Sequence, residues 1–328
     1  MKRILLLFTI TFFHLNGFSQ VINVNTTTYT VPQLVQNVLF GSTASAACAG
    51  TLSNITWSTG TNFGSTNGIG YFTNTNPTFP LANGVILSSG NVAAAPGPNT
   101  TTQGNGTWAG DLQLFNYITA LGIDPGLIDY NNATILEFDF VPLSNTMSFD
   151  FLFASEEYGT FQCDYSDAFA FFLTNVTTGS APINLALVPG TTDPISVTTI
   201  RDGLYNGTCL PPLDVNPTYF GSYTPSSLTN PASLAAPTNF NGLTVKMTAS
   251  SNVVPNNTYH IKLVIADRND DSYDSAVFLG GGSFNIGSAI TSGSGFSNPS
   301  YTVADGTAIC SGGTRDIVFG ASPITGAT

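Results

Sequence analysis

The sequence predicts an all-β fold, a β-sandwich or jelly roll with at most one short helix. Three observations carry this prediction. Apolar residues recur in short, mostly alternating runs, as in Met147 to Phe153, where Phe149, Phe151 and Phe153 point one way. Gly (33 residues), Pro (19) and abundant Asn punctuate the chain between those runs, as turn residues do. Helical periodicity surfaces only once, in DLQLFNYITAL at 111–121.

Taken in chain order, the first nineteen residues read as a secretory signal peptide. Lys2 and Arg3 precede a short apolar run, and Gly17-Phe18-Ser19 suits a small-x-small cleavage site, so the mature chain is expected to begin at Gln20. Residues 20–288 are expected to form one β-sandwich domain. Val85 to Ser88 and Ile135 to Val141 read as strands. In 111–121, Asp111 is the expected cap, Leu112, Phe115 and Ile118 the buried face, and Gly122 the stop. Phe169, Phe171 and Leu173 line one face of a further strand, and His260–Ala266 and Ala276–Leu279 make a late pair. Residues 289–299 are Gly/Ser-rich and read as a linker. Residues 300–328 open a new strand pattern too short to bury a core, so they are expected to be the start of a second β module in a longer protein.

Composition narrows the function classes. Without Lys2 and Arg3, five basic residues stand against nineteen acids, a formal charge of −14. Nucleic acid and anionic lipid need a basic face, which argues against both as partners. No later stretch is apolar enough to insert directly into a membrane. The cysteines Cys48, Cys163, Cys209 and Cys310 follow no metal-ligand spacing. In an exported chain they are disulfide candidates; Cys163 with Cys209 is the expected bridge, with Cys48 either free or the partner of one of the two.

The acids are unevenly placed. FASEEYGTFQCDYSDAFAFF (153–172) holds Glu156, Glu157, Asp164 and Asp167 between two Phe-rich runs, without Lys or Arg. HIKLVIADRNDDSYDSAVFL (260–279) repeats the syntax with Asp267, Asp270, Asp271 and Asp274. Read as two hairpins side by side in a sandwich, these segments bring carboxylates to one end. Like charges at close range repel unless a cation joins them or water screens them. Calcium, a hard cation that takes six to eight oxygen ligands, is the expected cofactor, with Glu156, Glu157, Asp164, Asp167, Asp267, Asp270 and Asp274 as candidate ligands. The alternative is that Asp and Asn here simply favour turns and stay solvated.

Catalysis finds little support. His260 is the single histidine of the mature chain and heads an alternating strand, so a Ser-His-Asp arrangement has one weak anchor. Glu156 and Glu157 are adjacent, and adjacent strand residues face opposite ways, which does not suit a glycosidase pair flanking one bond. Trp57, Trp108 and Tyr71 are candidates for a sugar-stacking platform, or for core.

Several motifs together carry a resemblance. GVILSSGNVAAAPGPN (84–99), ATILEFDFVP (133–142), SFDFLFASEEY (148–158), DAFAFFL (167–173), ALVPGTTDPISVTTI (186–200) and TYHIKLVIADRNDDSYDSAVFLGGGSF (258–284) resemble the choice-of-anchor L domain family, in that family's order. The segment after residue 300, with TAICSGGT, resembles the start of PKD-like or immunoglobulin-like modules. The resemblance implies an exported, surface-associated bacterial protein. It also implies one of several C-terminal anchors, among them the type IX secretion signal of Bacteroidota; no anchor is visible in this sequence. No enzymatic activity comes with it, and its recurrent acids correspond to Glu156, Glu157, Asp167, Asp267 and Asp274. The expected function is a secreted, non-catalytic, adhesin-like binding module, calcium-stabilised and part of a larger protein, with an extracellular glycan or protein as ligand. The alternatives are a calcium-dependent carbohydrate-binding module attached to a catalytic domain, or a glycoside hydrolase.

Overall fold

The apolar runs pair into two antiparallel sheets in a computed structural model, which describes residues 21–41, 52–59, 68–104 and 108–287. The expected signal peptide, the 289–299 linker, the 300–328 segment, Cys48 and Cys310 lie outside the described residues. In chain order the strands are β1 (Asn23–Asn25), β2 (Ser53–Ser58), β3 (Ile69–Thr73), β4 (Asn83–Ser88), β5 (Tyr130–Phe140), β6 (Thr146–Ser155), β7 (Ala168–Asn175) and β8 (Ile183–Asn184). There follow β9 (Phe220–Tyr223), β10 (Gly242–Thr244), β11 (Met247–Asn252), β12 (Tyr259–Arg268) and β13 (Ser275–Gly280). The eight-stranded sheet runs β1-β3-β4-β13-β6-β10-β9, with β11 also paired to β6; the five-stranded sheet runs β2-β5-β12-β7-β8. The predicted all-β sandwich is therefore the observed fold.

Alternation along the strands builds the core between the sheets. Phe149, Phe151 and Phe153 of β6 meet Phe169 and Phe171 of β7, with the Phe151 and Phe171 rings edge to face at 5.1 Å. Ile261, Leu263 and Ile265 of β12 and Val277 and Leu279 of β13 join them. Each such side chain contributes on the order of 2–3 kcal/mol by leaving water. The opposite faces are covered too. Leu152, Ala154, Ala276 and Phe278 pack under loops on the outside of the larger sheet. Ala168, Ala170, Phe172, Val264 and Ala266 pack under a helix on the outside of the smaller one. Double burial explains why AFAFFL and AVFL are unbroken apolar runs.

Two helical features differ from the sequence reading. The expected helix is present as Leu112–Leu121, capped by Asp111 and stopped by Gly122 at φ 64°. Its buried residues are Leu114 and Ile118, whereas Leu112 is 73% exposed. A second helix, Val31–Gln33 running on as a π-helix over Leu34–Leu39, exceeds the expected limit of one. Thr30 and Gln33 cap it reciprocally, and Val31, Leu34, Val35, Val38 and Leu39 enter the inter-sheet core.

The two acidic segments do not close hairpins. β6 belongs to the larger sheet and β7 to the smaller; β12 belongs to the smaller and β13 to the larger. Residues 156–167 and 269–274 are thus arches that cross the gap between the sheets in opposite directions. They run side by side, because β13 pairs with β6 and β12 pairs with β7. The expected gathering of both segments at one end holds, by a different route. The Cys163–Cys209 disulfide is present and ties the first arch to the 198–215 segment.

Candidate functional site

Strand alternation, continued past the strand ends, places the acids. Glu157 and Asp167 carry on the inward-facing sets of β6 and β7, and Asp267 follows Ile261, Leu263 and Ile265 of β12. Glu156 and Asp274 carry on the outward-facing sets of β6 and β13. All five are buried: Glu156 is 1% exposed, Glu157 3%, Asp167 1%, Asp267 0% and Asp274 3%. Buried carboxylates are rare without a partner cation.

Backbone amides hold the arches in this arrangement. Ser155 Oγ accepts from the Glu157 amide at 3.0 Å and turns the chain out of β6. The Asp167 amide donates to Glu157 Oε2 at 3.0 Å, closing the first arch onto its own start. The Arg268 amide donates to Asp167 Oδ1 at 3.0 Å, which links the two arches. Across the larger sheet, the Glu156 amide donates to Asp274 O at 3.1 Å. Glu156 Oε2 accepts from the Gln103 amide at 2.7 Å, and Asp267 Oδ2 accepts from Asn132 Nδ2 at 2.9 Å.

The second oxygen of three of these carboxylates has no such donor. Glu156 Oε1, Asp167 Oδ2 and Asp267 Oδ1 are buried and make no well-formed hydrogen bond, although the Ser275 hydroxyl lies beside the Asp167 carboxyl. The Ser89 hydroxyl lies beside Asp267 but accepts from the Ser275 amide at 2.9 Å and donates to Ser275 O at 3.3 Å. Among the described residues no Lys or Arg forms an ion pair with Glu156, Glu157, Asp167 or Asp267; the Arg268 guanidinium instead grips Asp124 through Nε and through Nη2 at 2.6 Å.

Burial therefore pushes the carboxyls up. Glu156 rises to about 9, chiefly by desolvation, with Asp274 adding to it and the Gln103 amide opposing it. Glu157 also rises by desolvation, with Asp267 and Asp270 contributing against the Asp167 amide and Arg268. Asp167 rises by desolvation and then by Glu157. Asp267 rises by desolvation, then by Asp167 and Asp274.

The other expected ligands sit further out. Asp270 is half-buried, accepts from the Ser272 amide at 3.0 Å, and shares a recess of about 280 Å³ with Glu157, Phe161, Tyr165, Ser272 and Tyr273. Asp164 is exposed and turns instead to a separate cavity beside Arg201. Among the described residues, no three His, Cys, Asp or Glu side chains already converge as a metal-ligand set. The donor set does suit a hard cation: it is all oxygen, and it includes three buried carboxylate oxygens that make no well-formed hydrogen bond.

The remaining sequence candidates separate. Glu156 and Glu157 line different recesses, with their bonded oxygens on Gln103 and Asp167 respectively. His260 lies between Asp139, at 2.7 Å, and Glu137, at 3.4 Å. Trp57 lies on β2 of the smaller sheet, Tyr71 lies edge-on to Tyr29 on the larger sheet, and Trp108 Nε1 donates to Ala133 O at 3.1 Å. These three aromatics share no platform.

Sequence reasoning missed the residues that brace the acids. Ser88 and Ser89 both bond the Ser275 backbone, and a Cβ on Gly90 would fall 1.6 Å from Asp274 Oδ2. The Ser-Ser-Gly string after β4 was visible as a turn signal, but nothing local points it at Asp274. A comparison with family models matches residues 23–285 to the choice-of-anchor L domain. Comparisons with curated proteins and with solved structures gave no match.

Proposed function

The chain belongs to the choice-of-anchor L domain family, and from that premise we propose that it is a secreted binding module of adhesin type whose acidic arches hold calcium. The family is one of surface-associated, non-catalytic modules. Among the described residues no helix is long and apolar enough to cross a membrane. In this reading the signal segment exports the chain, and a neighbouring module and anchor complete a larger surface protein.

One observation carries the calcium reading: Glu156, Asp167 and Asp267 are each almost fully buried with a carboxylate oxygen that makes no well-formed hydrogen bond, and beside the two aspartates stand the Ser275 and Ser89 hydroxyls rather than a cation. Glu157, Asp167 and Asp267 would hold the ion on the inner side, and Glu156 and Asp274 would face it or a second ion from the outer side. Bound calcium supplies the positive charge that no described Lys or Arg brings to Glu156, Glu157, Asp167 and Asp267 by an ion pair. It would fix the two arches to each other and leave the surrounding loops as the ligand-binding edge.

Calorimetric titration of metal-stripped protein with calcium tests this. The expected result is saturable binding that Asp167→Asn with Asp267→Asn removes, with the fold intact by circular dichroism. Undiminished binding in that double variant, or none in the unaltered protein, would overturn the assignment.

A further inference from the structure

A second cavity lies on the same end of the sandwich, between the 123–126 loop, the first arch and the 198–215 segment. Its volume is about 520 Å³, the size of a small-molecule site. The domain is strongly acidic, and its described residues include two arginines, Arg201 and Arg268. Both line this cavity, and both are over nine-tenths buried, at 8% and 7% exposure.

The two differ in how their charge is met. Arg268 is neutralised by Asp124. Arg201 is not: Nη1 donates to Thr198 O at 2.7 Å, Nη2 to Pro212 O at 2.9 Å and Nε to Leu213 O at 3.1 Å. Those acceptors are neutral carbonyls, and Arg201 forms no ion pair among the described residues. The guanidinium fork has more N–H groups than the three used. Exposed Asp164 is the acid nearest to it electrostatically.

We propose that this cavity binds a carboxylate-bearing saccharide, with the carboxylate on Arg201 and the ring hydroxyls on Asp164, Ser166, Thr198 and Thr199. The wall chemistry selects this class. Asp164, which has no ion pair among the described residues, repels a doubly charged phosphate or sulfate more strongly than a single carboxylate, and the Asp124 and Asp164 carboxylates both accept hydrogen bonds from sugar hydroxyls. The Ser166 and Thr198 hydroxyls, 3.2 Å apart, offer a paired donor and acceptor. The Cys163–Cys209 bridge holds the arch side of the wall in place. The inference rests on the binding-module reading, but not on calcium.

Titration of the full chain with D-galacturonate, its methyl ester and D-galactose in EGTA is the test, because the chelator excludes calcium bridging. Galacturonate is expected to bind with a Kd at or below about 1 mM, and the neutral ester and galactose at least about tenfold more weakly. Arg201→Gln should abolish the acid's advantage. If that variant unfolds, Asp164→Ala, which leaves the carbonyl cradle of Arg201 in place, should weaken ester and galactose binding and widen the acid's advantage over both, because it removes a hydroxyl acceptor that all three share and a negative charge that only the acid meets. Equal binding of acid and ester, or no binding of galacturonate by the unaltered chain at about ten times that concentration, would overturn the proposal whatever calcium does.

Discussion

Replacing Glu156 with Gln should stabilise the metal-free protein at neutral pH. Glu156 is 1% exposed, and burial raises its carboxyl from the usual 4.5 to about 9. A raised folded-state value means that stability is fully present below the unfolded value and is lost as pH climbs toward 9. At pH 7 the folded chain must hold a proton that the unfolded chain has released, over a gap of 2.5 between 4.5 and 7. At 1.36 kcal/mol per pH unit, this costs about 3 kcal/mol. Gln keeps an acceptor for the Gln103 amide and needs no proton. Glu156→Gln should therefore gain about 3 kcal/mol at pH 7, and only about 0.4 kcal/mol at pH 4.5. Urea unfolding in EGTA at both pH values reads the difference directly. Destabilisation at pH 7, or an equal gain at both pH values, would refute the claim that Glu156 is a desolvated carboxylate awaiting a cation.

Three further outcomes follow from the same structure. Changing Cys163 and Cys209 together to Ser removes a bridge across a separation of 46 residues; by loop-closure entropy the cost is about 4 kcal/mol, seen as a lower unfolding midpoint. Asp111→Ala removes both the cap to the Leu114 amide, at 2.8 Å, and the carboxylate 2.5 Å from Lys262 Nζ. With Lys262 only 9% exposed and Glu137, at 3.9 Å, left as its remaining acidic partner, the loss should be about 2 kcal/mol in denaturant titration, beyond the ~1 kcal/mol of a typical cap. His260 should titrate above its ordinary 6.5 by NMR, since Glu137 and then Asp139 raise it against desolvation. The stability it adds is full below 6.5 and lost as pH rises through its folded value; a midpoint at or below 6.5 would contradict the contact geometry.

Much of the fold was legible because it is written locally. The Phe149-Phe151-Phe153 and Phe169-Phe171 alternation states which face is inner, and the observed core uses those faces. The capped helix after Asp111 was readable from its cap and stop, but not its face. Phe115 and Leu112 look as apolar as Leu114, and only the packing against Ala170 and Phe172 decides which turn inward. The N-terminal helix had a signal that went unread: Thr30 and Gln33 are a capping box three residues apart. The arches were not legible. A hairpin and an arch share the same strand-loop-strand syntax, and the choice depends on pairing partners such as β13 with β6, more than a hundred residues apart. The acids announced themselves by composition, whereas the braces, Gln103, Asn132 and Ser88 to Gly90, reach them only through tertiary contacts.

The most direct measurement is thermal unfolding of metal-stripped protein with and without 1 mM calcium. A site with a Kd of about 10 μM adds about 2.7 kcal/mol at that concentration, a clear rise in midpoint. The account predicts that rise, and predicts its loss in Asp167→Asn and Asp267→Asn. An unchanged midpoint would mean that the buried carboxyls are held neutral by protonation and that the arches are built without a metal.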